Sequence, residues 1–142
     1  LWWRPNSTRG FIFLDHPVNL SEAAHFPELK VSENTSHFGL AKDGWSQANL
    51  RMTRIVSELV RMRLKDVRWF VMGDDDTIFY PDNLVRVLKK YDHTRMYYIG
   101  SNSETHLQNI KTSSGMAFGG AGFAISYPLA NKIERTLDGC TQ

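Results

Sequence analysis

The chain alternates short apolar runs with longer segments of helical period, and their order predicts its architecture. Phe11-Ile12-Phe13-Leu14, bounded by Gly10 and by Asp15-His16-Pro17, predicts a buried strand. A polar loop with Pro17 and Pro27 follows, then Leu29 to Ser32 alternates as a second, edge-like strand, and Glu33 to Asp43 is polar loop. From Ser46 to Asp66 the apolar residues Met52, Ile55, Val56, Leu59 and Val60 recur at offsets of three and four, with Leu64 one turn on, which predicts the best helix of the chain. Arg51, Arg54, Glu58, Arg61 and Lys65 lie off that stripe and are expected on a solvated face, within reach of a diphosphate only as a less favoured alternative. Val67 to Met72 is rich in β-formers and large apolar groups and predicts a strand buried on both faces. It stops abruptly at Asp74-Asp75-Asp76.

Beyond the aspartates, Asp82 to Tyr91 predicts a second helix with Leu84, Val85, Leu88 and Tyr91 on one face and Lys89 and Lys90 at its negative end. Met96 to Ile99 reads as a strand ended by Gly100, and Ser101 to Ser114 as polar loop. Met116-Ala117-Phe118, then Gly119-Gly120-Ala121-Gly122, then Phe123 to Ser126 forms a second unusual stretch. On its own it reads as an ordinary tight turn, although small residues also let a backbone or a sugar ring approach closely. Pro128 to Leu137 is a last helix, packed through Leu129, Ile133 and Leu137. The alternation of strand and helix predicts an α/β layer with right-handed crossovers. Ligands of such sheets bind off the carboxyl ends of strands, which is where the aspartates lie.

Length and composition narrow the picture. At 142 residues the chain is at most one domain with a real core, and 42% apolar with 23% charged residues makes it globular. A formal charge of +2 without a basic patch excludes nucleic acid as the expected partner. No apolar run approaches a membrane span, the longest being Ala117 to Ile125, and the opening Leu1-Trp2-Trp3 does not read as a signal peptide. The chain opens on Leu1-Trp2-Trp3 without an initiator Met and ends abruptly at Gln142, so it reads as a single partial domain, 1–142, cut from a longer protein. Cys140, the single cysteine, is a buried thiol or half of a disulfide. The acceptor patterns Asn6-Ser7-Thr8, Asn19-Leu20-Ser21 and Asn34-Thr35-Ser36 lean toward a secretory-pathway lumen.

The triplet carries the chemistry. Adjacent carboxylates disfavour joint ionisation unless a cation or hydrogen-bond donors sit among them. In an extended chain Asp74 and Asp76 point to one side and Asp75 to the other, giving two hard oxygen ligands for Mg²⁺ or Mn²⁺ with positions left for phosphate oxygens. Capping of the following helix, where Pro81 and Asp82 sit, accounts for Asp82 and leaves the triplet unexplained, so metal or phosphate work is favoured over a solvated acidic turn. A calcium loop of EF-hand type fails, since Phe79 stands at the glycine position and Val85 at the bidentate glutamate. The glycine stretch is not a dinucleotide fingerprint, because Ile125 stands at the third glycine position. There is no nucleophile elbow, zincin helix or P-loop lysine, and His16, His25, His37, His93 and His106 are scattered.

Together WFVMGDDDTIFY, a helix and then FGGAGFAIS resemble the Fringe-like branch of glycosyltransferase family 31, and its plant group of Fringe-related proteins in particular. LWWRPNSTRGFIFLD, KDVRW and YYIGSNSETHLQNI extend the resemblance over almost the whole chain. The resemblance implies a GT-A fold, a nucleotide-sugar-binding α/β sandwich with a central, mostly parallel sheet flanked by helices. It implies Golgi type II membrane proteins that transfer a sugar from a UDP-sugar to a glycan or glycoprotein hydroxyl with inversion. Carried onto this chain, Asp76 is the direct Mn²⁺ ligand, and Asp74 and Asp75 shape the metal, ribose and donor-sugar contacts. Gly119, Gly120, Ala121 and Gly122 form part of the floor where donor and acceptor meet. In relatives the carboxylate pair that carries the base, and a histidine that completes the metal site, lie downstream of the glycine turn. The base is therefore expected beyond Gln142, any membrane anchor outside these residues, and the isolated 142 residues are expected to be inactive or nearly so.

Two other functions compete: a carbohydrate-binding relative that kept the fold and lost turnover, and a metal-dependent phosphohydrolase using the aspartates. The intact triplet favours a transferase over the former, since a retired site has no reason to keep three clustered charges. Phosphate release from simple esters distinguishes the latter.

Overall fold

The computed structural model describes residues 2–19, 25–36, 44–102 and 117–140. These form a mixed α/β structure with one parallel and one antiparallel sheet. The chain divides into two compact units, Trp3–Leu64 with Ile133–Gln142, and Leu1–Trp2 with Lys65–Lys132.

In the first of these units, β1 (Phe11–Leu14) and β2 (Glu28–Val31) pair in parallel, Phe11 opposite Glu28 and Leu14 opposite Val31. A parallel pair needs a connection of roughly a dozen residues, which residues 15–27 supply. Ser32 extends the pairing, its N–H donating to the Leu14 carbonyl at 2.8 Å. β1 is half-buried along its length rather than buried. Helix α1 (Gly44–Arg61) buries Ile55, Val56, Leu59 and Val60, the predicted stripe. It stops five residues short of the expected end because Arg63 and Asp66 adopt left-handed backbone, φ 50° and 59°, which no helix continues through. Arg54, expected in solvent, is 3% exposed. Its Nη2 and Nε both donate to Glu33 Oε2, at 2.6 and 2.9 Å, and the Glu33 N–H donates to Glu58 Oε1 at 3.1 Å. The guanidinium is thus held inside by a carboxylate from the segment after β2, a long-range partner that helical periodicity does not reveal.

The other unit is built on three strands, β3 (Trp69–Met72), β4 (Tyr98–Gly100) and β5 (Phe123–Ser126), in the order β3-β5-β4. Between β3 and β4 lies α2 (Pro81–Leu88). Both outer strands run antiparallel to β5, so β3 and β4 are parallel to each other, as a strand–helix–strand unit requires, with β5 inserted between them. The expectation of a mostly parallel central sheet therefore needs correction for these strands. Its cause is β5, which arrives from the glycine turn and closes the gap between β3 and β4 by direct pairing with both.

The insertion also changes which strand is buried on both faces. β3 alternates, with Phe70 and Met72 buried and Trp69 and Val71 half-buried, whereas Ala124, Ile125 and Ser126 of β5 are 2%, 4% and 0% exposed. Each large apolar side chain so enclosed contributes about 1.5–3 kcal/mol. The small Ser126 continues the ladder instead: its Oγ accepts from the Tyr97 N–H at 2.8 Å while its own N–H donates to the Tyr97 carbonyl at 3.0 Å. On α2 only Leu88 is buried; Val85 is 50% exposed, against the expected apolar face. The final helix α3 (Tyr127–Cys140) starts directly from β5 and buries Ala130 and Leu137. No helix among the described residues is long and apolar enough to cross a membrane.

Candidate functional site

The site begins where β3 ends. After Met72 the chain leaves the sheet at Gly73 and folds into a tight turn across Asp74-Asp75-Asp76-Thr77. The Thr77 N–H donates to the Asp74 carbonyl at 3.1 Å, and the Asp74 N–H donates to Thr77 Oγ1 at 2.8 Å. This corrects the sequence reading in its reasoning: the triplet is not extended, so side-chain alternation does not set the directions of Asp74, Asp75 and Asp76. A reciprocal bond between the first and last residues of the turn sets the backbone instead.

The glycine stretch lies against this turn. Ala117 bridges to Asn102, Gly119–Ala121 forms one turn of 3-10 helix, and the Gly122 N–H closes it onto the Gly119 carbonyl at 2.8 Å. Thr77 Oγ1 donates to the Gly120 carbonyl at 3.0 Å. A Cβ on Gly120 would lie 3.7 Å from Asp74 Oδ2. The acids and the glycines, 43 residues apart at that hydrogen bond, are therefore one local structure.

Two glycines in it have geometric reasons. Gly122 has φ 77° and ψ 152°, backbone essentially reserved for glycine, and a Cβ there would sit 2.6 Å from Phe79 Cε1. A Cβ on Gly73 would meet the same ring at 2.9 Å from Cζ and Thr77 Cβ also at 2.9 Å. The Phe79 ring thus fills the space beside both glycines. Neither Thr77 nor Phe79 was singled out from sequence. The one signal the sequence offers for them is their position within four residues of the triplet.

All three acids are exposed at the surface. Asp74 nevertheless has a pKa raised above the ordinary 3.8, first through partial burial of its carboxyl, then through the charge of Asp76, then through that of Asp75. The charge of Asp76 weighs more on Asp74 than that of Asp75 does. Among the described residues no three His, Cys, Asp or Glu side chains form a metal cage. A two-carboxylate arrangement is nonetheless what Mg²⁺ or Mn²⁺ takes when phosphate oxygens and water complete its shell. The donor set is hard oxygen and the mutual repulsion of its carboxylates is what a cation relieves, so the chemistry of Asp74 and Asp76 fits such an ion. His16 and His93 stand beside Asp15 and Asp92, at 3.3 and 3.9 Å, away from the triplet in sequence; His37 and His106 lie outside the described residues.

A family model described as Fringe-like matches residues 2–141. Over 86 residues the chain is 34% identical to the β-1,3-N-acetylglucosaminyltransferase lunatic fringe of Xenopus laevis, a match covering 52% of this chain and 22% of that protein. The chain thus spans well under half the length of the curated relative it matches.

Proposed function

The chain belongs to the Fringe-like family, and from that premise we propose that the protein is a metal-dependent glycosyltransferase moving a sugar from a UDP-sugar to a hydroxyl of a glycan or glycoprotein, with inversion at the anomeric carbon. The observation that carries this reading is the joining of the aspartate turn to the glycine turn through Thr77, with Asp74 Oδ2 beside Gly120. A carboxylate set suited to a cation is thereby next to a floor of glycines and one alanine, which suits a diphosphate-linked sugar. Asp74 and Asp76 would hold Mn²⁺ or Mg²⁺, and Asp75 would contribute to the ribose and donor-sugar contacts. Such an ion, when bound, neutralises the charge that develops on the leaving diphosphate. Gly119, Gly120, Ala121 and Gly122 leave room for the donor sugar and the incoming acceptor. A base within hydrogen-bond reach must take the acceptor proton, and no residue of 1–142 is assigned that role. The activity in the name of the lunatic fringe relative makes UDP-N-acetylglucosamine the first donor to assay. The family and the acceptor patterns for N-glycosylation support a Golgi-lumenal location.

Titration of UDP against the full-length protein, with and without Mn²⁺, tests the reading. UDP binding that needs Mn²⁺ and is lost in Asp76→Ala, with no phosphate released from simple esters, is the expected outcome. Equal UDP affinity in Asp76→Ala would remove the metal role. Ester hydrolysis would move the protein to the phosphohydrolases, and Mn²⁺-dependent UDP binding without any transfer would leave a binding relative.

A further inference from the structure

We propose that Thr77 is a positioning residue for the donor site, coupling the aspartate turn to the glycine turn through its hydroxyl; the functional part of this inference rests on the transferase reading above. A threonine hydroxyl has one proton to give and lone pairs to accept with. Here both capacities are used between two segments distant in sequence: Oγ1 accepts the Asp74 N–H at 2.8 Å and donates to the Gly120 carbonyl at 3.0 Å. The Thr77 N–H adds a third bond, to the Asp74 carbonyl at 3.1 Å. The residue is half-buried, and its Cβ and Cγ2 occupy the space beside Gly73 that a side chain there would need. The acids themselves are exposed, and among the described residues the Thr77 hydroxyl is the side-chain hydrogen bond that ties their turn to the glycine turn, alongside the Met72–Phe123 pairing and the Phe79 ring. Without it the sheet pairing and the Phe79 ring would still join the two segments, and the local spacing of Asp74 from Gly120 would loosen. Positioning errors of this kind weaken binding of a ligand that touches both sides at once.

Thr77→Val keeps the shape and removes both hydroxyl bonds; Thr77→Ser keeps the bonds and removes the methyl. In the full-length protein, Thr77→Val is expected to weaken Mn²⁺-dependent UDP binding roughly tenfold, while Thr77→Ser stays within about threefold of the parent. In the metal-free protein, exchange of the Asp74 amide read by NMR should speed up roughly tenfold in Thr77→Val and not in Thr77→Ser. Melting temperatures measured alongside separate this from general loosening, and Thr77→Ala substitutes if the valine variant does not fold. Parental UDP affinity in Thr77→Val, or a serine variant as impaired as the valine one, would overturn the proposal. If the parent protein binds no UDP with Mn²⁺, the transferase reading fails by itself. The exchange arm then still decides the Thr77 link: faster Asp74 exchange in Thr77→Val supports it and unchanged exchange overturns it.

Discussion

Replacing Gly122 by alanine tests whether the glycine turn is built on close packing against Phe79 or is merely a flexible connection. Two separable costs arise. The first is backbone: φ 77° with ψ 152° is a region open to glycine alone, and holding another residue there costs about 1–3 kcal/mol. The second is steric. The new Cβ would stand 2.6 and 2.8 Å from Phe79 Cε1 and Cζ and 3.3 Å from the Met72 carbonyl oxygen. The Phe79 ring, which also occupies the space a Gly73 side chain would take, is what would have to shift. Such overpacking costs about 1–3 kcal/mol. The sum, about 2–6 kcal/mol, is a large part of the stability of a small domain. Since Phe123 pairs with both Met72 and Gly100 directly after Gly122, the start of β5 is what would move. Urea unfolding of the parent, Gly122→Ala, Phe79→Ala and the double variant measures both costs. In the Phe79→Ala background the alanine should cost only the backbone share, about 1–3 kcal/mol. A Gly122→Ala protein within about 0.5 kcal/mol of the parent refutes both causes, and an undiminished cost in the Phe79→Ala background refutes the collision.

Two further predictions concern charge. Because the folded-state pKa of Asp74 lies above 3.8, the folded chain holds that proton more tightly than the unfolded chain does. The resulting stability is fully present below pH 3.8 and is lost as pH rises through the raised folded value. Asp74→Asn should therefore stabilise the metal-free protein slightly at neutral pH, by about 0.2–0.5 kcal/mol for so exposed a group, and the gain should vanish near pH 3. Urea titrations at the two pH values check it, and a destabilised neutral-pH variant would contradict it. At the other unit, Glu33→Ala removes the two hydrogen bonds from buried Arg54 to the Glu33 carboxylate and should cost about 2–3 kcal/mol. Arg54→Met, which removes the charge as well, should cost less by the same unfolding measurement.

The elements of this chain were largely legible because each has a strong local cause. The period of three and four through Ile55, Val56, Leu59 and Val60, the β-formers of Trp69 to Met72 and the Pro81 start of α2 act within a few residues. What was not legible depends on partners far along the chain. Nothing local announces that β5 slots between β3 and β4, because strand order is decided by which edges remain free when the chain returns. Arg54 looked solvated for the same reason, since Glu33 lies outside its helix. At the candidate site the acids and the glycines stood out by composition, and the structure brings both sets together. The rule of alternation failed there because a strand had already become a turn at Asp75. Thr77 and Phe79 were missed because their importance lies in a hydroxyl and a ring reaching Gly120 and Gly122, contacts invisible until the fold is known.

The most direct measurement is an anomalous difference map at the manganese edge from crystals of the full-length protein soaked with Mn²⁺ and UDP. A single strong peak is expected within coordination distance, about 2.0–2.4 Å, of carboxylate oxygens of Asp76 and Asp74, with the UDP diphosphate on its open side and the glycine turn adjacent. A map with UDP ordered elsewhere, or with the three carboxylates turned into solvent and no peak among them, would contradict it.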